Sequence, residues 1–199
     1  MSGKLIVLEG LDGSGTTTQS HRLVNRILGL KMSVARSYEP SGPLEKSVRE
    51  AIHDQDNRWP LLWLFAASRA HNNIKMAPLL DRGAHVVCDR YVMSSLAYQA
   101  LDHDMSYIWT VNEKFRQADL TIYLDTPVPV CISRLASRAE RDPFETQTIL
   151  TAVEENYRRA ISLYEHVYGQ KVVVIDGALT EDEIEEQIWK AVLPILELG

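Results

Sequence analysis

The sequence has few cysteines, no long hydrophobic run and no cluster of basic residues. Cys88 and Cys131 are its two cysteines, and each has an apolar context without the spacing of metal ligands. Buried free thiols are therefore favoured over a disulfide or a zinc site. The apolar stretches are far shorter than the roughly 20 residues that span a bilayer, and the chain starts in a predicted strand without a cleavable leader. We expect a cytoplasmic protein with no membrane partner.

The chain also lacks an excess of positive charge. Its formal net charge is −6 at pH 7, its pI is near 5.5, and no run of arginines and lysines forms a basic patch. Nucleic acid is therefore not expected as a partner. At 199 residues the chain has the length of one ordinary domain, which buries about 70% of the surface that the unfolded chain exposes. We predict one domain over residues 1–199.

Glycine is not abundant, but three glycines fall close together after the first apolar run. Residues 5–8 are apolar and partly β-branched, and Gly10, Gly13 and Gly15 follow them. A strand that breaks into glycines and then into hydroxyl residues is typical of a loop whose N–H groups converge on a phosphate at the start of a helix. A plain turn is the alternative. The predicted ATP-binding residues are Gly10, Gly13, Ser14, Gly15, Thr16, Thr17 and Thr18.

One residue of the phosphate-loop pattern is missing. The pattern is a glycine, four residues, a second glycine, a lysine, and then a serine or threonine. Gly10 and Gly15 fit it, but Thr16 stands in place of the lysine. The point charge that would reach the outer phosphates is therefore absent from position 16. Thr17 still supplies the hydroxyl that would contact a magnesium ion.

Strand and helix patterns alternate along the whole chain. Predicted strands cover residues 5–8, 33–38, 85–88, 120–124 and 172–175, with helices between them. This alternation predicts an α/β fold, a parallel sheet covered by helices on both faces, with ligands at the carboxyl ends of the strands. Asp89 is a candidate magnesium ligand there, and a helix N-cap is the alternative. The polar residues just past strand ends are Asp12, Glu39, Asp89, Arg90 and Asp125.

Four stretches of the chain carry distinctive motifs. They are residues 9–19, the Glu39-Pro40 loop, Leu-Phe-Ala-Ala-Ser-Arg at 64–69, and Asp-Arg-Tyr-Val-Met-Ser-Ser-Leu-Ala-Tyr-Gln at 89–99. In these stretches the chain resembles the thymidylate kinase family, and the last stretch is the most specific. The resemblance implies a three-layer P-loop kinase fold in which helices flank a five-stranded parallel sheet.

The resemblance implies transfer of the γ-phosphoryl group of ATP to the 5′-phosphate of dTMP, with Mg²⁺ as the cofactor. This chemistry requires two polyanions to be brought into line and their repulsion to be cancelled. The metal ligands implied by the resemblance are Thr17 and Asp89. The implied catalytic residues are Asp12, Arg90, Arg138 and Arg141, the last two in a lid over residues 136–147.

The resemblance also implies a set of acceptor-binding residues. Arg49 and Arg90 would hold the acceptor phosphate. Phe65 would stack on thymine, and Arg69 would donate to thymine O4. Tyr98 would crowd the 2′ position of the sugar and so favour deoxyribose. Surface ion pairing is the alternative for Arg49, and ordinary helix core is the alternative for Phe65. The full implied set, which includes residues that read the base edge, is Glu39, Arg49, Phe65, Arg69, Arg90, Ser94, Ser95, Tyr98 and Gln99.

The chain departs from the family's motifs at three positions. Thr16 replaces the loop lysine, and Pro143 in the lid stands where many family members carry arginine. Ser68 stands where aspartate is usual, which leaves the orientation of Arg69 open. Two alternatives to an active dTMP kinase therefore remain: a catalytically impaired relative that binds nucleotide, and a kinase for another nucleoside monophosphate. We expect Arg138 or Arg141 to supply the missing charge.

The resemblance carries two structural expectations as well. It implies a homodimer formed through helices that include the long one predicted to start at Pro60, whose apolar residues cover more surface than packing on one sheet requires. It also places Pro40 in a tight loop that faces the acceptor phosphate. We therefore predict a cis Glu39-Pro40 peptide bond, although such bonds are uncommon.

Overall fold

The described residues form a five-stranded parallel sheet covered by helices. A computed structural model describes residues 2–54, 58–136 and 143–197. Neighbouring strands are all parallel, in the order β2-β3-β1-β4-β5. The predicted α/β fold is therefore confirmed. The strands are β1 (Leu5–Gly10), β2 (Val34–Tyr38), β3 (His85–Asp89), β4 (Leu120–Asp125) and β5 (Val172–Asp176).

Two helix ends differ from the apolar periodicity of the sequence. That periodicity predicts a first helix from Ser20 and a later helix from Met105 to Ala118. The first helix instead begins at Thr16, because the hydroxyl residues of the loop already form its first turn. The later helix ends at Asn112, and Asp119 beyond it accepts a hydrogen bond from the Leu5 amide at 2.8 Å. The α-helices in the described ranges are α1 (Thr16–Gly29), α2 (Glu45–His53), α3 (Leu61–Asp81), α4 (Val92–Tyr98), α5 (Met105–Asn112), α6 (Val128–Leu135), α7 (Gln147–Tyr168) and α8 (Glu181–Glu197).

Alternate residues of β1 face opposite sides of the sheet, so the sheet separates two apolar cores. Ile6 packs with residues of α1 and α8. Val7 packs with residues of α2 to α7. The result is the three-layer arrangement of helices, sheet and helices that the resemblance implies. Cys88 and Cys131 are both buried and free, as predicted.

The register of the sheet brings the predicted site residues to one edge. Leu8 of β1 and Tyr38 of β2 both pair with Asp89 of β3. The segments that follow these three strands therefore begin side by side, at the carboxyl ends of the strands. Among the described helices, none combines the length and the apolar character that crossing a bilayer requires.

Candidate active site

The segment between β1 and α1 forms the loop that the glycine pattern predicts. Gly13 and Gly15 have φ angles of 83° and 99°, a region that glycine enters without strain. Gly15 directly precedes α1, so the loop amides lie at the positive end of that helix. The loop can therefore cradle a polyphosphate. An open cleft of about 860 Å³ lies against it. The predicted ATP-binding residues that line this cleft are Gly13, Ser14, Gly15, Thr16, Thr17 and Thr18.

Asp89 connects the phosphate loop to β2. Its Oδ2 accepts hydrogen bonds from the Thr17 hydroxyl at 2.7 Å and from Arg36 Nη2 at 2.9 Å. Asp89 is buried, and no described residue is a hydrogen-bond partner of its Oδ1. A buried carboxylate oxygen of this kind suits a magnesium ion or its bound water, so Thr17 and Asp89 fit the predicted metal site. The alternative prediction, that Asp89 is a helix N-cap, is wrong, because Tyr91 is the N-cap of α4.

Arg90 stands between the phosphate loop and the acceptor side. Its Nη1 donates to the Gly10 carbonyl and its Nη2 to Asp12 Oδ1, each at 2.7 Å. The Tyr98 hydroxyl donates to the other Asp12 oxygen at 2.9 Å. The backbone of Arg90 has a φ of 69°, which is uncommon for a residue with a side chain and is typical of functional positions. Asp12 and Arg90 each line the loop cleft and also a second cleft.

The second cleft, of about 760 Å³, opens on the other side of Arg90. Phe65 is half-buried in its wall and also packs against the core. Arg49 lines the cleft as well, although its guanidinium is exposed and pairs with Glu45 at 2.8 Å. Phe144, which was not among the predicted site residues, is a further lining residue. The structure brings the whole predicted acceptor set together here: Glu39, Arg49, Phe65, Arg69, Arg90, Ser94, Ser95, Tyr98 and Gln99.

Glu39 and Arg69 form a buried ion pair in the wall of the second cleft. Their charged atoms lie 2.7 Å apart. Arg69 also donates to the Tyr91 carbonyl and to the Ser95 hydroxyl, each at 3.0 Å, and to Asn112 Oδ1. These partners fix the guanidinium against the cleft.

Two sequence expectations concern this ion pair. The Glu39-Pro40 bond is cis, as predicted. The replacement of the usual aspartate by Ser68 leaves Arg69 well oriented, because Glu39 and the other partners hold it. The Ser68 hydroxyl donates to the Ser41 carbonyl at 3.0 Å instead.

Burial raises the pKa of the Glu39 carboxyl to about 7, although Arg69 favours its ionised form. Between pH 4.5, the ordinary pKa, and about pH 7, the folded protein retains a proton that the unfolded chain releases. The stabilisation from this proton is fully present below the ordinary pKa and is lost as the pH rises through the folded pKa. We expect the free energy of unfolding to fall by roughly 3 kcal/mol over this window because of Glu39. Urea denaturation at a series of pH values measures it.

The variant Glu39→Gln provides the control for this pH dependence. It has no proton to release, so it should lose most of the slope between pH 5 and pH 8. Burial also raises the pKa of Glu9. That group is present in both proteins, so most of its effect cancels in the difference, apart from its charge interaction with Glu39. Equal slopes for the two proteins would contradict the assignment.

A second buried set of side chains holds the segment that carries Arg90. Glu9 Oε1 accepts a hydrogen bond from the Tyr91 amide at 2.8 Å, and its Oε2 accepts one from the Ser94 hydroxyl at 2.5 Å. The Tyr157 hydroxyl of α7 donates to the same Oε2 at 3.2 Å. The sequence did not identify Glu9 or Tyr157 as partners of this segment. The apolar patterns of a strand and a helix contain them, and no local signal marks them as partners.

The predicted lid arginines, Arg138 and Arg141, lie outside the described residues. Arg134, at the end of α6, is described and lines the loop cleft. Its guanidinium donates to the carbonyls of Ser14 and Gly177 at 3.3 and 3.1 Å. A positive charge therefore reaches the phosphate loop from α6.

Comparisons with known proteins agree with this geometry. The family model described as thymidylate kinase matches residues 8–188. A thymidylate kinase of Akkermansia muciniphila is 34% identical over 194 residues, which cover 95% of this chain and 91% of that protein. The thymidylate kinase of Deinococcus radiodurans is 36% identical over 200 residues, 96% of each chain. A solved thymidylate kinase from Candida albicans, 22% identical, matches with a TM-score of 0.79 over 97% of this chain and 92% of its own, which supports the fold.

Proposed function

The chain belongs to the thymidylate kinase family, and from this premise we propose that it transfers the γ-phosphoryl group of ATP to the 5′-phosphate of dTMP. The observation that carries the proposal is the junction of two clefts at Asp12 and Arg90. One cleft lies against a phosphate loop, and the other is lined by the full set of residues implied for acceptor binding. Two phosphorylated ligands in these clefts would meet at Arg90.

On the donor side, the amides of residues 13–17 would bind the β-phosphate at the start of α1. Mg²⁺, when bound, neutralises charge on the β- and γ-phosphates. Thr17 and Asp89 are the residues that would hold it, together with the phosphates of ATP, because Mg²⁺ in such sites usually has few protein ligands.

On the acceptor side, we assign Arg49 and Arg90 to the 5′-phosphate, because a guanidinium fork matches phosphate geometry. Phe65 would stack on the thymine ring, and Arg69 would donate to its O4. The hydrogen bond to Asp12 fixes the Tyr98 ring in the cleft wall, where it would leave no room for a 2′-hydroxyl. The assigned residues thus contact the phosphate, the base and the sugar separately.

The reaction requires little covalent help from the protein. The 5′-phosphate of dTMP is largely a dianion at neutral pH, since its second pKa is about 6, so no general base has to activate it. One of its oxygens attacks the γ-phosphorus in line, the bond from that phosphorus to the β-phosphate oxygen breaks, and ADP leaves. Arg90 cancels the repulsion between the two phosphates, and Asp12 holds Arg90 in place.

A panel of acceptors tests the proposal. The protein is incubated with ATP, Mg²⁺ and each of dTMP, dUMP, dCMP, dGMP and UMP, and ADP formation is followed. We expect dTMP to have the highest kcat/KM, with dCMP slower by at least about tenfold. The Candida albicans thymidylate kinase has broad substrate specificity, so purine nucleotides belong in the panel. A preference for another nucleotide, or nucleotide binding without turnover, would favour one of the two alternatives.

Recognition of the base should depend on Arg69 and not on stacking alone. Replacement of Arg69 by alanine removes a charged donor, a contact worth about 1.5 to 3 kcal/mol. The ratio of kcat/KM for dTMP to that for dCMP should therefore fall roughly tenfold or more. This ratio isolates base recognition, because loss of the ion pair with Glu39 affects both substrates. Phe65→Leu is the control and should weaken both substrates alike. An unchanged ratio in Arg69→Ala would show that the base is recognised elsewhere.

An exposed apolar stripe runs along α3. Trp63 and Ile74 are 41% and 72% exposed. Ala67 and Ala70 lie between them and are also exposed, and their spacing of four, three and four residues places all four on one helix face. We propose that this stripe pairs with the same stripe of a second chain in a homodimer. Self-pairing needs no complementary charge, and a stripe of this length is costly to leave in water.

Sedimentation analysis at micromolar concentration measures the oligomeric state. We expect a dimer for the wild-type protein and a monomer for Ile74→Glu, since a charge within the stripe has to be buried on pairing. Leu28→Glu is the matched control, because Leu28 is 51% exposed on α1, and it should remain dimeric. A monomeric wild-type protein, or a dimeric Ile74→Glu, would contradict this interface.

We further propose a cytoplasmic location. Cys88 and Cys131 are buried free thiols, which persist in a reducing compartment. ATP and dTMP, the proposed partners, are small cytoplasmic metabolites, so location and function agree.

A further inference from the structure

The phosphate loop lacks the lysine of its pattern, yet an arginine reaches the same end of α1 from a neighbouring strand. Arg36 lies on β2. Its Nε donates to the Ser20 hydroxyl at 2.8 Å, and its Nη2 donates to Asp89 Oδ2 at 2.9 Å. The Thr17 hydroxyl donates to the same oxygen at 2.7 Å. The guanidinium of Arg36 and the loop hydroxyl are therefore separated by one carboxylate oxygen.

Asp89 places a negative charge beside the phosphate loop. Its side chain is 7% exposed, and that of Arg36 is 20% exposed, so solvent ions screen the pair weakly. Without a nearby cation, Asp89 would repel any polyphosphate in the loop. The pattern places such a cation at residue 16, which is one helical turn before Ser20 and is threonine in this chain. The position of Arg36 is thus suited to compensate for that loss.

We propose that Arg36 is a positioning residue of the phosphate loop, and that by neutralising Asp89 from β2 it replaces the charge that Thr16 does not supply. Arg36 acts through Asp89 and Thr17 and need not contact the nucleotide. Asp89 stays fixed between Thr17 and Arg36, and the charge of Arg36 offsets that of the carboxylate beside the loop. This inference rests on the proposed function, since it assigns the loop to a nucleotide polyphosphate.

Binding of ADP without any metal tests the inference. Isothermal titration calorimetry with EDTA in the buffer reports how the loop attracts phosphates by itself. Arg36→Gln keeps an amide donor on the side chain but carries no charge, so we expect ADP to bind about tenfold more weakly. Affinity for dTMP, which occupies the other cleft, should stay within about twofold, and Arg36→Lys should bind ADP within about threefold of the wild type.

A matched control removes the same charge elsewhere. Arg26 belongs to α1 and pairs with Glu186 at 2.6 Å, further along the helix from the loop. Arg26→Gln therefore changes the net charge by the same amount and should leave ADP affinity unchanged. If Arg26→Gln and Arg36→Gln lose ADP affinity equally, the effect comes from net charge alone, and the inference is overturned.

Restoring the lysine gives the sharpest comparison. In the Arg36→Gln background, Thr16→Lys should return ADP affinity to within about threefold of the wild type. In the wild-type background it should gain less than about threefold, and this measurement remains decisive if Arg36→Gln does not fold. Three results would overturn the inference. Arg36→Gln could bind ADP as tightly as the wild type, or the double variant could bind ADP no more tightly than Arg36→Gln. Thr16→Lys alone could also raise ADP affinity tenfold or more. If the wild-type protein binds neither ADP nor dTMP, the proposed function itself fails.

Discussion

Replacement of Arg90 by methionine is expected to lower kcat/KM for dTMP by about a thousandfold. Arg90 lines both clefts, and its guanidinium is fixed by Asp12 and by the Gly10 carbonyl. Methionine retains much of the length of the side chain but removes its charge and donors. The acceptor phosphate and the γ-phosphate would then repel each other at closest approach, so kcat should fall and KM for dTMP should rise. Steady-state kinetics with each substrate varied separately measure both.

Two controls separate this effect from general damage to the site. Arg90→Lys keeps the charge but loses the planar fork, so its activity should lie between those of the wild type and Arg90→Met. Thermal denaturation and far-ultraviolet circular dichroism of each variant report whether the fold is intact. If folded Arg90→Met stays within about tenfold of the wild type, Arg90 does not bridge the two phosphates.

The double variant Arg138→Ala, Arg141→Ala is expected to lower kcat a hundredfold to a thousandfold. One cation near the β- and γ-phosphate oxygens lowers the activation barrier by about as much as one oxyanion donor does. The loop still supplies amides and the Thr17 hydroxyl, and Arg36 offsets Asp89 without contacting the nucleotide, so a cation in direct contact with the β- and γ-phosphate oxygens is still missing. We propose that the lid arginines fill that gap in the closed complex, whereas Arg36 acts on Asp89 before any closure. Thr16→Lys should then raise kcat by less than about threefold. Single-turnover measurements with saturating ATP test these values.

A nearby arginine provides the control for the lid. Arg158 lies on α7, is exposed and pairs with Glu154 at 3.3 Å. Arg158→Ala removes one charge from the helix that follows the lid and should leave kcat unchanged. If Thr16→Lys instead raises kcat a hundredfold, the loop is deficient, and the chain is an impaired relative that binds nucleotide.

The sequence predicted those parts of the site that lie within short motifs at strand ends. The phosphate loop follows β1, the Glu39-Pro40 turn follows β2, and Arg90 follows β3. A parallel sheet brings such ends to one edge, so recognition of each motif was enough to predict that their side chains meet. The acceptor residues from Arg49 on α2 to Gln99 after α4 also line one cleft, but the resemblance to the family implied them, since several lie on helices and not at strand ends.

The contacts that hold the site residues in place could not be predicted. The partner residues are distant in the chain, and nothing in their local sequence distinguishes them from other polar residues. Arg36 and Asp89 are 53 residues apart, and an arginine on an edge strand usually points into solvent. Arg69 and Asn112 are 43 residues apart, and Asn112 has the pattern of a polar helix end. Periodicity gives the face on which a side chain lies, but its partner depends on how whole elements pack.

Transfer of a labelled phosphate tests the central claim most directly, namely that the two clefts joined at Arg90 serve one reaction. The protein is incubated with dTMP, Mg²⁺ and ATP that carries ³²P in its γ-phosphate, and the products are separated by thin-layer chromatography. We expect the label to pass to dTDP, with one dTDP formed for each ADP and labelled inorganic phosphate at the background level. Label released as inorganic phosphate without dTDP, or ATP left unconsumed, would contradict the claim.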